Sequence, residues 1–130
     1  INELGPIFSI ENSILINLQA TDCEEELQRA EEHFGIEIYR PESIDMFNEL
    51  DNVAALISQL DFVVGPFTSI LSMAGAIGTR CFGLTLTKDW TALGTDDFPW
   101  NPTMTCFYKG TANSWKPLME KVADMIVEAE

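Results

Sequence analysis

LDFVVGPFTSILSMAGAIGTRCFGLTL, residues Leu60–Leu86, decides how this chain is read. The apolar run Leu60–Val64 reads as a buried strand, and Gly65-Pro66 breaks it. The hydroxyl pair Thr68-Ser69 follows, then a small-sided helical stretch that ends at Gly78. A second apolar run, Arg80–Leu86, reads as another buried strand. Strand, loop, helix and strand at this spacing form a unit of the parallel α/β kind. Thr68 and Ser69 fall where the helix begins. A helix start leaves backbone N–H groups unpaired and carries partial positive charge, so it suits a phosphate. The same residues also serve routinely as plain N-caps, and residue chemistry alone leaves both roles open.

On the N-terminal side, residues 3–10 read as a helical turn and Ser13–Leu18 as a fully buried strand. Gln19-Ala20-Thr21 is its exit loop. Asp22 is expected to cap a helix that runs to Phe34, with the acidic run Glu24-Glu25-Glu26 in its first turn and Gly35 as C-cap. Ile36–Tyr39 reads as a strand, and Asp45 or Glu49 opens a helix that reaches Gln59. Strand Phe62–Gly65, helix Ser69–Ile77 and strand Cys81–Thr85 complete the central unit. Lys88–Lys109 reads as one long aromatic loop, and Ser114 caps a final helix to Glu130. Four strands alternating with helices predict a three-layer α/β sandwich, a mostly parallel sheet covered on both faces, in a single domain over 1–130. Ligands in such sheets bind beyond the carboxyl ends of the strands.

Composition narrows the function. With 21 Asp and Glu against 7 Lys and Arg, the net charge is −14. That repels a phosphate backbone and an anionic membrane surface, so nucleic acid is not an expected partner. No apolar run is long enough to span a membrane, and INELGPIFSI has no basic flank of a signal peptide. The chain does not open on Met, and it is expected to be a piece of a longer protein. Cys23, Cys81 and Cys106 form no CxxC pair, which points to reduced thiols and a cytoplasmic protein. His33 is the one histidine, so no multi-histidine metal site and no Ser–His–Asp arrangement is expected. Neither GxGxxG nor GxxxxGK[ST] occurs.

Several residues have two readings each. The small side chains Ser72, Ala74, Gly75, Ala76 and Gly78 suit close packing, or a ligand near the backbone. Trp90 and Trp100 suit stacking on a base or sugar, or pinning of their own loop. Asp96 and Asp97 read as solvated carboxylates. Arg80 and Lys88 are the nearest cations to the hydroxyl pair.

ALISQLDFVVGPFTSILSMAGAIGTRCFGL, the "LQ" of INLQATDCEEEL, DWTALGTDDFPWNPTMTCF and SWKPLMEKVADMI together resemble a known pattern, in order and in spacing. They are similar to the glycosyltransferase-like domains attached to tetratricopeptide repeats, which are related to the heptosyltransferases with the two-domain B-type fold. The resemblance implies one Rossmann-like half of that fold, the half that binds the nucleotide-sugar donor. It implies that Thr68 and Ser69 contact the donor diphosphate, that Gln19 faces the cleft, and that Trp90 and Gly94 line the donor side. It implies no metal and no further cofactor, an acceptor and catalytic base elsewhere in the parent protein, and an isolated chain without activity. In the family an Asp precedes the Thr and a His lies on the following helix; Phe67 and Ser72 stand there in this chain. These two positions also fit a degenerate, non-catalytic α/β interaction module.

Overall fold

The computed structural model describes residues 1–95 and 98–129. The expectations for Asp96 and Asp97 lie outside the described residues. The elements are α1 (Gly5–Phe8), β1 (Leu15–Ile16), α2 (Glu24–Phe34), β2 (Ile38–Tyr39), α3 (Leu50–Ile57), β3 (Phe62–Pro66), α4 (Ser69–Ala76), β4 (Arg80–Thr85), β5 (Met104–Tyr108) and α5 (Lys116–Glu128). Short 3-10 turns occupy Asn2–Leu4 and Trp90–Ala92. The strands form two sheets, β1-β2 and β3-β4-β5, and every strand pair in them is parallel. The fold is therefore α/β, of the Rossmann-like kind. No helix among the described residues is long and apolar enough to cross a membrane.

The chain divides into two compact units. The first comprises Ile1–Glu49 and Ser114–Glu130. Its core gathers Leu27, Ala30 and Ile38 with Phe8, Leu15 and Phe34 around them. Phe8 and Phe34 meet edge to face at 5.3 Å, the arrangement favoured by ring quadrupoles. Helix α1 packs on α5, whose Met119 and Val122 are fully buried. Arg40 follows β2 and donates to Glu31, to Glu24 (2.9 Å) and to the Ile38 carbonyl, while the Ile38 N–H donates to Glu31 Oε1 at 2.7 Å. The side chains of α2 thus hold the end of β2.

The second unit is Leu50–Asn113. Strand β4 is central, with Val63 opposite Cys81 on one side and Cys81 opposite Met104 on the other. Phe82, 2% exposed, stacks with Phe62 at 5.8 Å and meets Phe107 at 6.1 Å. Buried Thr79 donates through Oγ1 to the Ile57 carbonyl at 3.1 Å, which ties the entry to β4 to the end of α3.

Several boundaries differ from the sequence reading. The expected loop Lys88–Lys109 contains strand β5. Parallel neighbours need a crossover of a dozen residues or more, and residues 86–103 supply it between β4 and β5. The expected buried strand Ser13–Leu18 shrinks to Leu15–Ile16, half-buried, with Ile14 85% exposed. It has one hydrogen-bonded neighbour, so its apolar run is not covered as a central strand would be. Asp22 does not occupy the N-cap of α2; Cys23 does, and Asp22 Oδ1 accepts from the Glu24 N–H at 3.1 Å. Asp45 closes a separate turn by accepting from the Phe47 and Asn48 N–H groups, and α3 begins at Leu50, directly after Glu49, the other expected start; it ends at Ile57, before Gln59. Ser114 precedes the N-cap Trp115; its hydroxyl accepts from the Lys116 N–H and donates to Glu3 at 2.6 Å. Gly35 is the left-handed C-cap, at φ 65°.

Candidate functional site

The site begins where β3 ends. Thr68 is the N-cap of α4 in extended conformation, φ −123° and ψ 174°. Its carbonyl accepts the Ser72 N–H at 3.0 Å, so the helix is entered normally. Its side chain makes no cap hydrogen bond. Thr68 and Ser69 are both exposed. The expected capping role of the hydroxyl is therefore not used, and the first-turn N–H groups of α4 have no partner within the helix.

The register of the sheet sets what surrounds this point. Pro66 lies opposite Leu84, and Thr85 opposite Tyr108. The ladder continues one step beyond, with the Lys109 N–H on the Thr85 carbonyl at 3.0 Å and the Gly110 N–H on that of Leu86 at 2.8 Å. Thr68, Leu86 and Lys109 thus follow the carboxyl ends of three adjacent parallel strands, where ligands of such sheets bind. The two candidate cations separate on this geometry. Arg80 opens β4 and lies over the Phe62 ring at 5.1 Å; it stands at the opposite end of the strand, about 16 Å from Thr85. Lys88 is at the carboxyl end, its ammonium 5.3 Å from the centre of the Tyr108 ring. Lys109 joins it there. Sequence reading missed Lys109 because β5, which delivers it, was hidden in the long loop.

The other three expected residues divide into places. Trp90, 78% exposed, opens the 3-10 turn after β4. Asp89 starts that turn by accepting from the Thr91 N–H at 2.8 Å and from the Thr91 hydroxyl. Leu93 and Gly94 then turn the chain with φ 49° and 77°, and a Cβ on Gly94 would meet nothing within 4 Å. Trp100 pins this loop, its indole N–H on the Thr91 carbonyl at 2.9 Å. The two tryptophans thus take different roles, Trp100 holding the loop and Trp90 facing solvent. Gln19 belongs to the first unit, exposed, its N–H on Asn17 Oδ1 at 3.2 Å. The structure brings Thr68 together with Ser69, and Trp90 together with Gly94.

The small-sided helix α4 has a specific partner at one position. A Cβ on Gly75 would stand 2.6 Å from Asn101 Nδ2 and 2.8 Å from Asn101 Cβ. Close packing is the role of that glycine, and what packs there is the β4–β5 connection. Phe67 has a comparable fit: a Cβ on Gly83 would stand 2.7 Å from its ring.

Charge is distributed unevenly. The first unit holds 16 acidic and 4 basic residues, net −12, and the second 5 and 3, net −2, which together make the −14 of the chain. Thr68 belongs to the nearly neutral unit. Burial pushes the Cys81 thiol up to about 11 and also raises Cys23, so neither of these two is activated. Among the described residues, no three His, Cys, Asp or Glu side chains are grouped as metal ligands.

Over 118 residues, 91% of its length, the chain is 42% identical to Protein FlbA of Caulobacter vibrioides. It spans about a fifth of that protein, 20% of its length. No family model matches the chain, and no solved structure matches it.

Proposed function

We propose that this chain is the donor-binding domain of a cytoplasmic glycosyltransferase-like protein. It holds the diphosphate of a nucleotide sugar at the start of α4. The observation that carries this reading is Thr68: an N-cap residue at the carboxyl end of a parallel strand whose hydroxyl makes no cap bond. That hydroxyl, the Ser69 hydroxyl and the first-turn N–H groups form a set of donors suited to phosphate oxygens. Lys88 and Lys109 add positive charge beyond the ends of the neighbouring strands. Trp90 offers a ring face to the base or sugar, and Gly94 lets the backbone come close. Fixed donors at a helix start stabilise a departing nucleoside diphosphate without a metal ion. The acceptor and the catalytic base belong to other parts of the parent protein, in its other half or its repeat region. The relative, of which the chain spans about a fifth, leaves room for both.

Thermal unfolding of the full-length parent protein, with UDP, GDP, ADP and CDP in turn, tests this. One of them is expected to raise the transition temperature. Saturation to a hundredfold over Kd adds about 2.7 kcal/mol. The Thr68→Ala/Ser69→Ala double variant should bind that nucleotide at least tenfold more weakly. The reading is overturned if no nucleotide shifts the wild-type protein.

A second reading, a non-catalytic interaction module, is favoured by one contact, the Phe67 ring resting on Gly83. It places an apolar group where the resembling family has a carboxylate. On this reading the nucleotides leave both proteins unshifted.

A further inference from the structure

Gly65 lies within β3, and a glycine inside a strand weakens it. Such a residue serves a left-handed turn, a bulge, a close neighbour or the approach of a ligand. Of the chain's eight glycines, the others are explained by the fold. Gly35, Gly78, Gly94 and Gly110 have φ between 60° and 88°, and a Cβ on Gly5, Gly75 or Gly83 would stand 3.0 Å or less from a neighbouring side chain. Gly65 has neither feature. Its φ is not left-handed, and among the described residues a Cβ there would meet nothing within 4 Å. There is no bulge, since the register with β4 runs unbroken from Phe62–Arg80 to Pro66–Leu84. Pro66 asks only for extended backbone before it, which any residue supplies. The approach of a ligand is the reason left. The open position also has a side wall. Its register partner is Gly83, so both point to the same face of the sheet, on strands about 4.8 Å apart. The place of a Gly83 side chain is taken by Phe67 and by Leu71 of α4. The Phe67 ring, 37% exposed, thus stands beside the open position. Thr68 follows three residues after Gly65, a span of at most about 10 Å.

We infer that Gly65 is a clearance position for a sugar ring: a ring joined to the diphosphate at Thr68 lies on the β3 backbone at Gly65, alongside Phe67. The inference rests on the donor-binding reading and adds a residue that sets the size of what the site accepts. A backbone floor and an aromatic side offer no charge, and they match the apolar C–H face of a sugar. A nucleotide sugar carries two such rings, the ribose and the transferred sugar, one on each side of the diphosphate. Either supplies this chemistry. A side chain at residue 65 would take the space of the ring.

Calorimetric titration of the full-length parent protein tests this, with UDP, GDP, ADP and CDP and with the glucose conjugate of each. Gly65→Ala should bind the preferred ligand at least fivefold more weakly than wild type, and Gly65→Val more weakly still. A loss confined to the glucose conjugate assigns the clearance to the transferred sugar. An equal loss for the free nucleoside diphosphate assigns it to the ribose. Hydrogen exchange of the ligand-free proteins separates clearance from folding. Across β3, at 62–66, Gly65→Ala should exchange at the wild-type rate or more slowly, because its methyl meets open space. Gly83→Ala, whose methyl meets the Phe67 ring, should exchange faster. Faster exchange in Gly65→Ala overturns the inference, since the strand itself then needs the glycine. Unchanged affinity in both Gly65 variants overturns it as well and leaves the donor reading standing. If the wild-type protein binds none of these ligands, the donor reading falls and the clearance falls with it.

Discussion

The two units use the same parallel strand–helix construction and stabilise it by different means. In Leu50–Asn113 the strands run five or six residues and bury Val63, Cys81, Phe82 and Met104. In Ile1–Glu49 with Ser114–Glu130 the sheet is two pairs long, Leu15 with Ile38 and Ile16 with Tyr39. There the strand end is secured by Arg40 and two carboxylates of α2. Burial of apolar surface is nearly indifferent to pH and salt, whereas half-exposed ion pairs depend on both. The comparison teaches that a short sheet can be compensated by charge, at the cost of a narrower range of conditions.

The largest test of this contrast is Phe82→Ala. It removes a ring that is 2% exposed and packed between Phe62 and Phe107. A loss of about 3–5 kcal/mol is expected for such a buried aromatic, read by denaturant unfolding. A loss below about 1 kcal/mol would mean that the second unit does not depend on its aromatic core. Gly75→Ala comes next. Alanine is the better helix former, yet its Cβ would collide with Asn101. Overpacking at about 1–3 kcal/mol should outweigh the propensity gain of about 1 kcal/mol. Gly75→Ala/Asn101→Gly should recover stability, since it removes the obstructing side chain. A stabilised single variant would show that the β4–β5 connection yields easily.

The smallest effect is the one specific to the first unit. The Arg40 guanidinium beside Glu31 holds that carboxyl below its ordinary range, with the Ile38 N–H assisting. Arg40 lowers Glu24 in the same way. A carboxylate depressed on folding contributes stability that is fully present above its unfolded pKa and is lost as pH falls through the folded value. Starting from 4.5, the loss therefore sets in as the pH drops below the mid-fours. Acid should loosen the first unit before the second, as followed by residue-resolved exchange of β2 against β4. Arg40→Met should remove the difference in acid dependence, and salt should mimic it weakly. Equal acid sensitivity of both units would break the comparison. The wider self-repulsion of a chain at −14 runs the other way, since acid relieves it. The wild-type minus variant difference isolates the pair.

How far the sequence could be read follows from range. Strands β3 and β4 and helix α4 are legible because a continuous apolar run, a Gly-Pro break and a Thr-Ser helix start act over a few residues. Gly35 is legible for the same reason: a left-handed C-cap is a local demand. Strand β5 is not. Met104–Tyr108 is short, mixes polar with apolar residues and sits among turn formers; only its pairing with β4 makes it a strand. Ser13–Leu18 fails in the opposite direction, since an apolar run states a capacity for burial and not the presence of a neighbour. In the candidate site, the position of Thr68 was readable and the fate of its hydroxyl was not. Lys109 became visible only with the strand that carries it.

The sequence by itself determined the class of fold and the place of the helix start, because both depend on patterns shorter than ten or so residues. Which cation lies at the carboxyl end of the sheet and where the Phe67 ring rests were decided by tertiary structure. Each depends on the register of parallel strands, and register joins residues that the chain keeps far apart. Gly83 shows the reason. It is sixteen positions from Phe67, and nothing near it in sequence says that a ring will lie on its backbone.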